Sequence, residues 1–200
     1  MPTLYISTTS PYTRMLLTVA EQYQIDLALK FVMPWENPTE LTAVNPFSQV
    51  PSLLLDNGDV ITETPMIMQA IAPQMFDDNR EYNLPKIAQA LTMTAQGVRA
   101  FSIQRFTLEG QEFHPFVARS TDLLKQVLSN LPTLSAESQE IGDKLVLCAL
   151  IWLSIRLPEV FNTLSTENQN VVKTFEQSEL MQKFSTARLE QLLPKTIAEL

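Results

Sequence analysis

What most limits the fold of this chain is a change of texture near Pro73: strand signals occur only before it, and only helical spacing follows. Residues 3–6 are β-prone and 7–10 form a polar turn. Ser10 can cap a helix with Pro11 at its first position, and Met15, Leu16, Val19, Ala20 and Tyr23 then recur at helical spacing. Residues 27–33 read as a second strand ended by Pro34, and 39–44 as a short helix before Asn45-Pro46. A hairpin follows, because 52–55 and 60–62 flank Asp56-Asn57-Gly58-Asp59, where Asn-Gly suits the positive φ angles of a tight turn. A helix from Thr64-Pro65 carrying Met66, Ile67, Ala70 and Ile71 completes an α/β unit of about 75 residues, within the usual domain range.

Beyond Pro73 comes a charged connector, Asp77, Asp78, Asn79, Arg80 and Glu81. Pro85 predicts the start of a helix that runs to about Glu109, with Ile87, Leu91, Thr94, Val98 and Phe101 on one face. A second amphipathic run spans 116–131. A third, 141–155, is apolar nearly all round, which places it in the middle of a helical bundle and ended by Pro158. The expected organisation is an α/β domain at 1–76, a linker at 77–84 and an all-helical domain at 85–200.

Composition removes several function classes. A net charge of −8, from 14 basic and 22 acidic residues, argues against nucleic acid or an anionic membrane as main partner. A single cysteine excludes an internal disulfide and any zinc site of several thiolates, and no metal site is expected. The N-terminus lacks a signal-peptide pattern and no apolar run reaches about 18 residues, so the cytoplasm is the expected compartment.

The motifs then narrow the reading. Ser10-Pro11-Tyr12-Thr13-Arg14 follows the first strand, Asn45-Pro46-Phe47-Ser48-Gln49-Val50-Pro51 precedes the hairpin, and Glu63-Thr64 opens the third helix. Ile141-Gly142-Asp143 and the run from Ala149 to Glu159 stand on the apolar helix. In this order and spacing the whole chain resembles the glutathione S-transferase superfamily, in its bacterial, serine-type form. The resemblance implies a thioredoxin-like N-terminal domain followed by a helical bundle, glutathione as co-substrate, a small electrophile as its partner, and a homodimer.

It also implies roles. Val50-Pro51 corresponds to a cis-proline pair whose Val50 backbone meets the cysteinyl part of glutathione. Glu63 would pair with the γ-glutamyl ammonium, while the Thr64 hydroxyl and N–H would hold the adjoining carboxylate, where a helix N-terminus favours negative charge. Gln49 would reach the glycyl end. Ser10 aligns with the thiol-activating hydroxyl: donating to sulfur at a helix N-terminus, it would stabilise the thiolate, which is the nucleophile. Thr9 and Tyr5 remain alternatives, and Tyr12 would pack beside the sulfur. The second-substrate pocket would draw on the fourth helix, with Phe101, Ser102, Arg105 and Phe106 as candidates. Met66, Met68 and Met93 fit either a dimer interface or plain core.

The remaining reactive types read as structural. His114 belongs in a surface loop and Cys148 is a packed thiol on the apolar helix. Asp143 reads as a buried acid that fixes the start of that helix, with Ser138 shifting the cap because Glu140 stands where relatives have a hydroxyl. Two functions follow. One is a transferase that activates the glutathione thiol, with serine at position 10 favouring conjugation over thiol transfer. The other is a non-catalytic binding module on the same fold, like the stringent starvation proteins that contact RNA polymerase.

Overall fold

The computed structural model describes residues 1–200 throughout. The chain forms two units, Met1–Arg80 with Glu179–Leu200, and Glu81–Ser178. In the first, β1 (Thr3–Ile6) leads to α1 (Pro11–Gln22), β2 (Ala28–Phe31), α2 (Thr39–Thr42), β3 (Ser52–Leu54), β4 (Val60–Ile61) and α3 (Thr64–Ile71). The strands make one mixed sheet in the order β2-β1-β3-β4, with β1 parallel to β2 and antiparallel to β3. This is the expected thioredoxin-like sheet, followed by a helical region.

Alternation along β1 puts Leu4 and Ile6, both fully buried, on one face and Tyr5 on the other. Tyr5 packs with Val32 and Leu41, and Val44, Val50 and Leu54 adjoin that cluster. On α1, Met15, Leu16, Leu17, Val19 and Ala20 are inaccessible to water, and α1 packs on α3. The hairpin turn uses positive φ at Gly58 alone (+89°). Asn57 braces it differently, accepting from the Asp59 N–H at 3.0 Å.

The chain end groups with the sheet unit rather than with the helices before it. The helices α9 (Glu179–Lys183) and α10 (Thr186–Leu192), together with the tail, belong to the sheet unit. The reason is backbone pairing with the edge strand: Leu29 N–H donates to the Lys195 carbonyl at 2.7 Å, Ile197 N–H to the Leu27 carbonyl at 3.1 Å, and Ala28 bridges Thr196. Three paired residues thus cover the outer edge of β2, and Ile197 is buried.

The second unit holds most of α4 (Arg80–Phe106), then α5 (Pro115–Ser129), α6 (Ile141–Arg156), α7 (Pro158–Phe161) and α8 (Thr166–Glu176). Pro85 lies inside α4 rather than opening it, so the second half of the expected linker is helical. Every residue of α6 from Ile141 to Leu153 is buried, as its all-round apolar sequence predicts. The buried stripe of α4 is Asn83, Ile87, Ala90, Met93, Thr94, Gly97 and Ala100, while Leu91, Val98 and Phe101 are only partly buried. Small residues let α6 come close: a Cβ on Gly97 would sit 2.8 Å from Leu153 Cδ2. No helix is long and apolar enough to cross a membrane.

Candidate functional site

Sheet register brings three loops to one end. Tyr5 pairs with Ser52, so the chain leaves β1 into residues 7–10 where it enters β3 from 49–51. Leu53 pairs with Ile61, so β4 runs antiparallel to β3 and delivers Glu63-Thr64 to that same end. Ser10, Gln49, Val50, Pro51, Glu63 and Thr64 therefore share one rim of the sheet, where α1 and α3 both begin.

Ser10 is the N-cap of α1, its Oγ accepting from the Thr13 N–H at 3.3 Å. That bond occupies a lone pair and leaves the hydroxyl proton to donate elsewhere. Capping and donation to a sulfur anion are thus compatible in one side chain. The first turn of α1 carries no acid, so in a chain of net charge −8 its N-terminal dipole stays open to an anion. Thr9 is exposed and Tyr12 half-buried. Tyr5 lies in the core cluster, with Lys30 Nζ 5.3 Å from its ring centroid.

The Val50-Pro51 peptide bond is cis. The loop before it is fixed from within: the buried Asn45 donates Nδ2 to the Gln49 carbonyl (3.1 Å) and to Ser52 Oγ (3.0 Å), and Ser52 Oγ donates to the same carbonyl (2.9 Å). Sequence reasoning named Asn45 only as a motif member and left Ser52 within a strand. A polar residue at a position that must be buried was the available signal. Val50 N–H and carbonyl bond to no other protein group, and Gln49 is exposed.

Glu63 precedes α3 with φ +64° and ψ 116°. Holding a non-glycine residue there costs about 1–3 kcal/mol, which persists only where the surroundings impose it. Its side chain makes no capping bond and is exposed; its carbonyl instead accepts from the Met66 and Ile67 N–H groups at 2.9 and 3.1 Å. The carboxylate is therefore not an ordinary helix cap. Thr64 is buried at the first position of the helix, and Pro65 has no N–H to compete there.

Residues 9–74, a third of the chain, match the family described as glutathione S-transferase, N-terminal domain. That match lies within the N-terminal sheet unit. Among solved structures it is similar to a glutathione transferase family member from Pseudomonas fluorescens Pf-5 with bound glutathione, at 20% identity and a TM-score of 0.74, covering 92% of this chain and 98% of that one. It is also similar to a Methylobacterium radiotolerans glutathione S-transferase in complex with glutathione sulfonate (19%, TM-score 0.69, 91% and 93%). A third is a Methylobacillus flagellatus glutathione S-transferase with glutathione bound (21%, TM-score 0.64, 92% and 99%). No curated protein matches the sequence. At these identities the likeness shows the glutathione transferase fold.

The other reactive side chains have structural settings. His114 is exposed and caps α5, its Nδ1 accepting from the Phe116 N–H at 3.1 Å. Cys148 is a fully buried thiol outside any disulfide. Met68 and Met93 are core, whereas Met66 is 56% exposed. In the helical unit a hollow of ≈600 Å³ is lined by Ile103, Phe106, Thr107 and the loop before α5.

The start of α6 carries the strongest electrostatics. Asp143 accepts from Ser138 Oγ (2.6 Å), Tyr82 Oη (3.0 Å) and Lys86 Nζ. Burial pushes its carboxyl up, but the bonds from Lys86, Ser138 and Tyr82 outweigh this and hold it below the ordinary 3.8. Burial likewise lowers Lys86, while the bonds to Asp143 and Tyr82 carry it above 10.5. The cap itself comes from another helix: Asn83 Oδ1 accepts from the Gly142 N–H (2.9 Å), and its Nδ2 donates to Glu140 Oε2 (2.7 Å).

Proposed function

We propose that the protein binds glutathione on the rim where the three loops meet and activates its thiol for attack on a small electrophile. The observation that carries this is Glu63: a strained, exposed carboxylate that caps nothing, at a helix start shared with a buried threonine. A γ-glutamyl group presents an ammonium and a carboxylate on one carbon. Glu63 complements the first, and Thr64 with the α3 N-terminus the second. The unbonded N–H and carbonyl of Val50 suit the cysteinyl backbone, which places the sulfur toward the start of α1. There Ser10 donates to the thiolate while continuing to accept from Thr13. Gln49 serves the glycyl end.

The reading includes a homodimer, with exposed Met66 on α3 at its interface, and a cytoplasmic setting where thiols stay reduced. Calorimetry with glutathione, with Glu63→Ala as control, tests the site. Heat from the wild type and none from the variant is expected. Absence of heat at millimolar glutathione would favour a non-catalytic binding module.

A further inference from the structure

The chain's last helix touches the one loop on which thiol activation depends. Thr186 Oγ1 donates to the Thr8 carbonyl at 3.3 Å, and Thr8 Oγ1 donates to Glu190 Oε1 at 3.0 Å. Thr186 and Glu190 stand four residues apart, hence on one face of α10. Thr8 is thus held through its main chain and its side chain at once, by residues about 180 positions away. The loop's own tie is weak, since Ser10 N–H reaches the Ser7 carbonyl only at 3.4 Å.

The helix doing the holding is itself fixed at every stage. Lys183, just before it, pairs with Glu21 of α1 at 2.6 Å. Ser185 caps it by accepting from the Arg188 N–H, and Leu189 is buried. Past its end, the tail pairs with β2 as described, and Arg188 reaches the Leu200 carbonyl at 3.0 Å.

We infer that α10 is a brace that sets the thiol-activating hydroxyl, with Thr186 and Glu190 as positioning residues. This rests on the glutathione reading above. A hydroxyl–thiolate bond needs its donor placed to within about 0.5 Å. Thr8 lies one residue before Thr9 and two before Ser10, so the brace serves whichever of the two faces the sulfur. Neither positioning residue touches Glu63, Thr64 or Val50, so the brace governs the thiol rather than overall affinity.

The test compares the double variant T186V/E190A with T186S/E190Q, which keeps the donor and the acceptor. In T186V/E190A the thiol of bound glutathione, titrated by its ultraviolet thiolate absorbance, should ionise at higher pH. Turnover of chlorodinitrobenzene should fall roughly three- to tenfold, with the calorimetric glutathione affinity unchanged within about twofold. Both should recover in T186S/E190Q, and amide exchange at Thr9 and Ser10 should quicken only in T186V/E190A. If the wild type binds glutathione and T186V/E190A matches it in titration and turnover, the brace is overturned alone. If the wild type draws no heat from glutathione, the parent reading falls and the catalytic role of α10 with it. Unchanged amide exchange overturns the brace whatever glutathione does.

Discussion

Replacing Asp143 with alanine is expected to destabilise the protein by about 3 kcal/mol, and the figure follows from what the carboxylate leaves behind. Its side chain is 8% exposed and serves three donors: Lys86, Tyr82 and Ser138. Truncation strands the Lys86 ammonium, itself only 26% exposed, together with two hydroxyl groups. Breaking a buried pair from one side costs about 3–5 kcal/mol, and the low end applies because the long lysine stem can carry its charge toward water. Lys86→Met should cost less, about 1.5 kcal/mol, because Asp143 keeps two hydroxyl donors and the α6 N-terminus. The double variant should then recover part of the sum, giving a coupling energy of about 1.5 kcal/mol.

The pH dependence has a fixed sign. The Asp143 carboxyl lies lower in the folded protein than in the unfolded chain, so its contribution is complete above about pH 4 and is lost as pH falls through its folded value. Lys86 lies higher when folded, so its contribution is complete below about pH 10 and fades as pH rises through its folded value. Urea unfolding at pH 7 and at pH 3, followed by circular dichroism, measures the Asp143 effect. A wild-type advantage over Asp143→Ala near 3 kcal/mol at pH 7 that shrinks at pH 3 is expected. A difference below about 1 kcal/mol at pH 7, or one constant with pH, would refute the account of the network.

Asn83→Ala should cost about 2 kcal/mol, since it orphans the Gly142 N–H in the interior; the thermal midpoint measures it. Gly97→Ala should cost about 1 kcal/mol net, because a methyl group meeting Leu153 at 2.8 Å outweighs the gain in helix propensity, and urea titration reads it. Thr94→Val should raise stability by about 1 kcal/mol, because the buried Thr94 hydroxyl has no partner, and calorimetric unfolding would show the midpoint rise. Ser10→Ala should keep glutathione affinity while lowering turnover of chlorodinitrobenzene by roughly tenfold or more, in a steady-state assay separating kcat from KM.

The sequence carried the fold wherever one short segment decides the outcome. Ser10-Pro11 forms a cap and first helical turn because both preferences are local, and Asn57-Gly58 closes a hairpin for the same reason. The apolar helix could be read because all-round hydrophobicity has one stable location, the centre of a bundle. Reading failed where the partner is distant or the signal is small. The α4 stripe turns on Ala90, Gly97 and Ala100, which hydrophobic weighting passes over in favour of larger neighbours. Residues 195–197 join the sheet through two backbone hydrogen bonds, too short a run to show any period. At α6, Glu140 at the position of the usual hydroxyl suggested a cap shifted to Ser138, yet Asn83 supplies it from α4, 59 positions earlier.

Two of these misses share a physical cause that bears on the site as well. The edge pairing at 195–197 and the α6 cap are polar contacts made by residues whose local preferences say nothing about their partners, and Asn45, Thr186 and Glu190 are of the same kind. The motifs name the groups that would meet glutathione, but the residues that hold those groups still lie elsewhere in the chain. Asn45 fixes the Gln49 carbonyl from inside the core, and α10 fixes Thr8 from the far end of the sequence. A related chain could therefore keep Ser10, Pro51, Glu63 and Thr64 intact and still lose thiol activation by changing a residue in its last helix. Its glutathione affinity would survive, because Glu63 and Thr64 depend on neither contact. Affinity and reactivity would then diverge along separate sets of supporting residues.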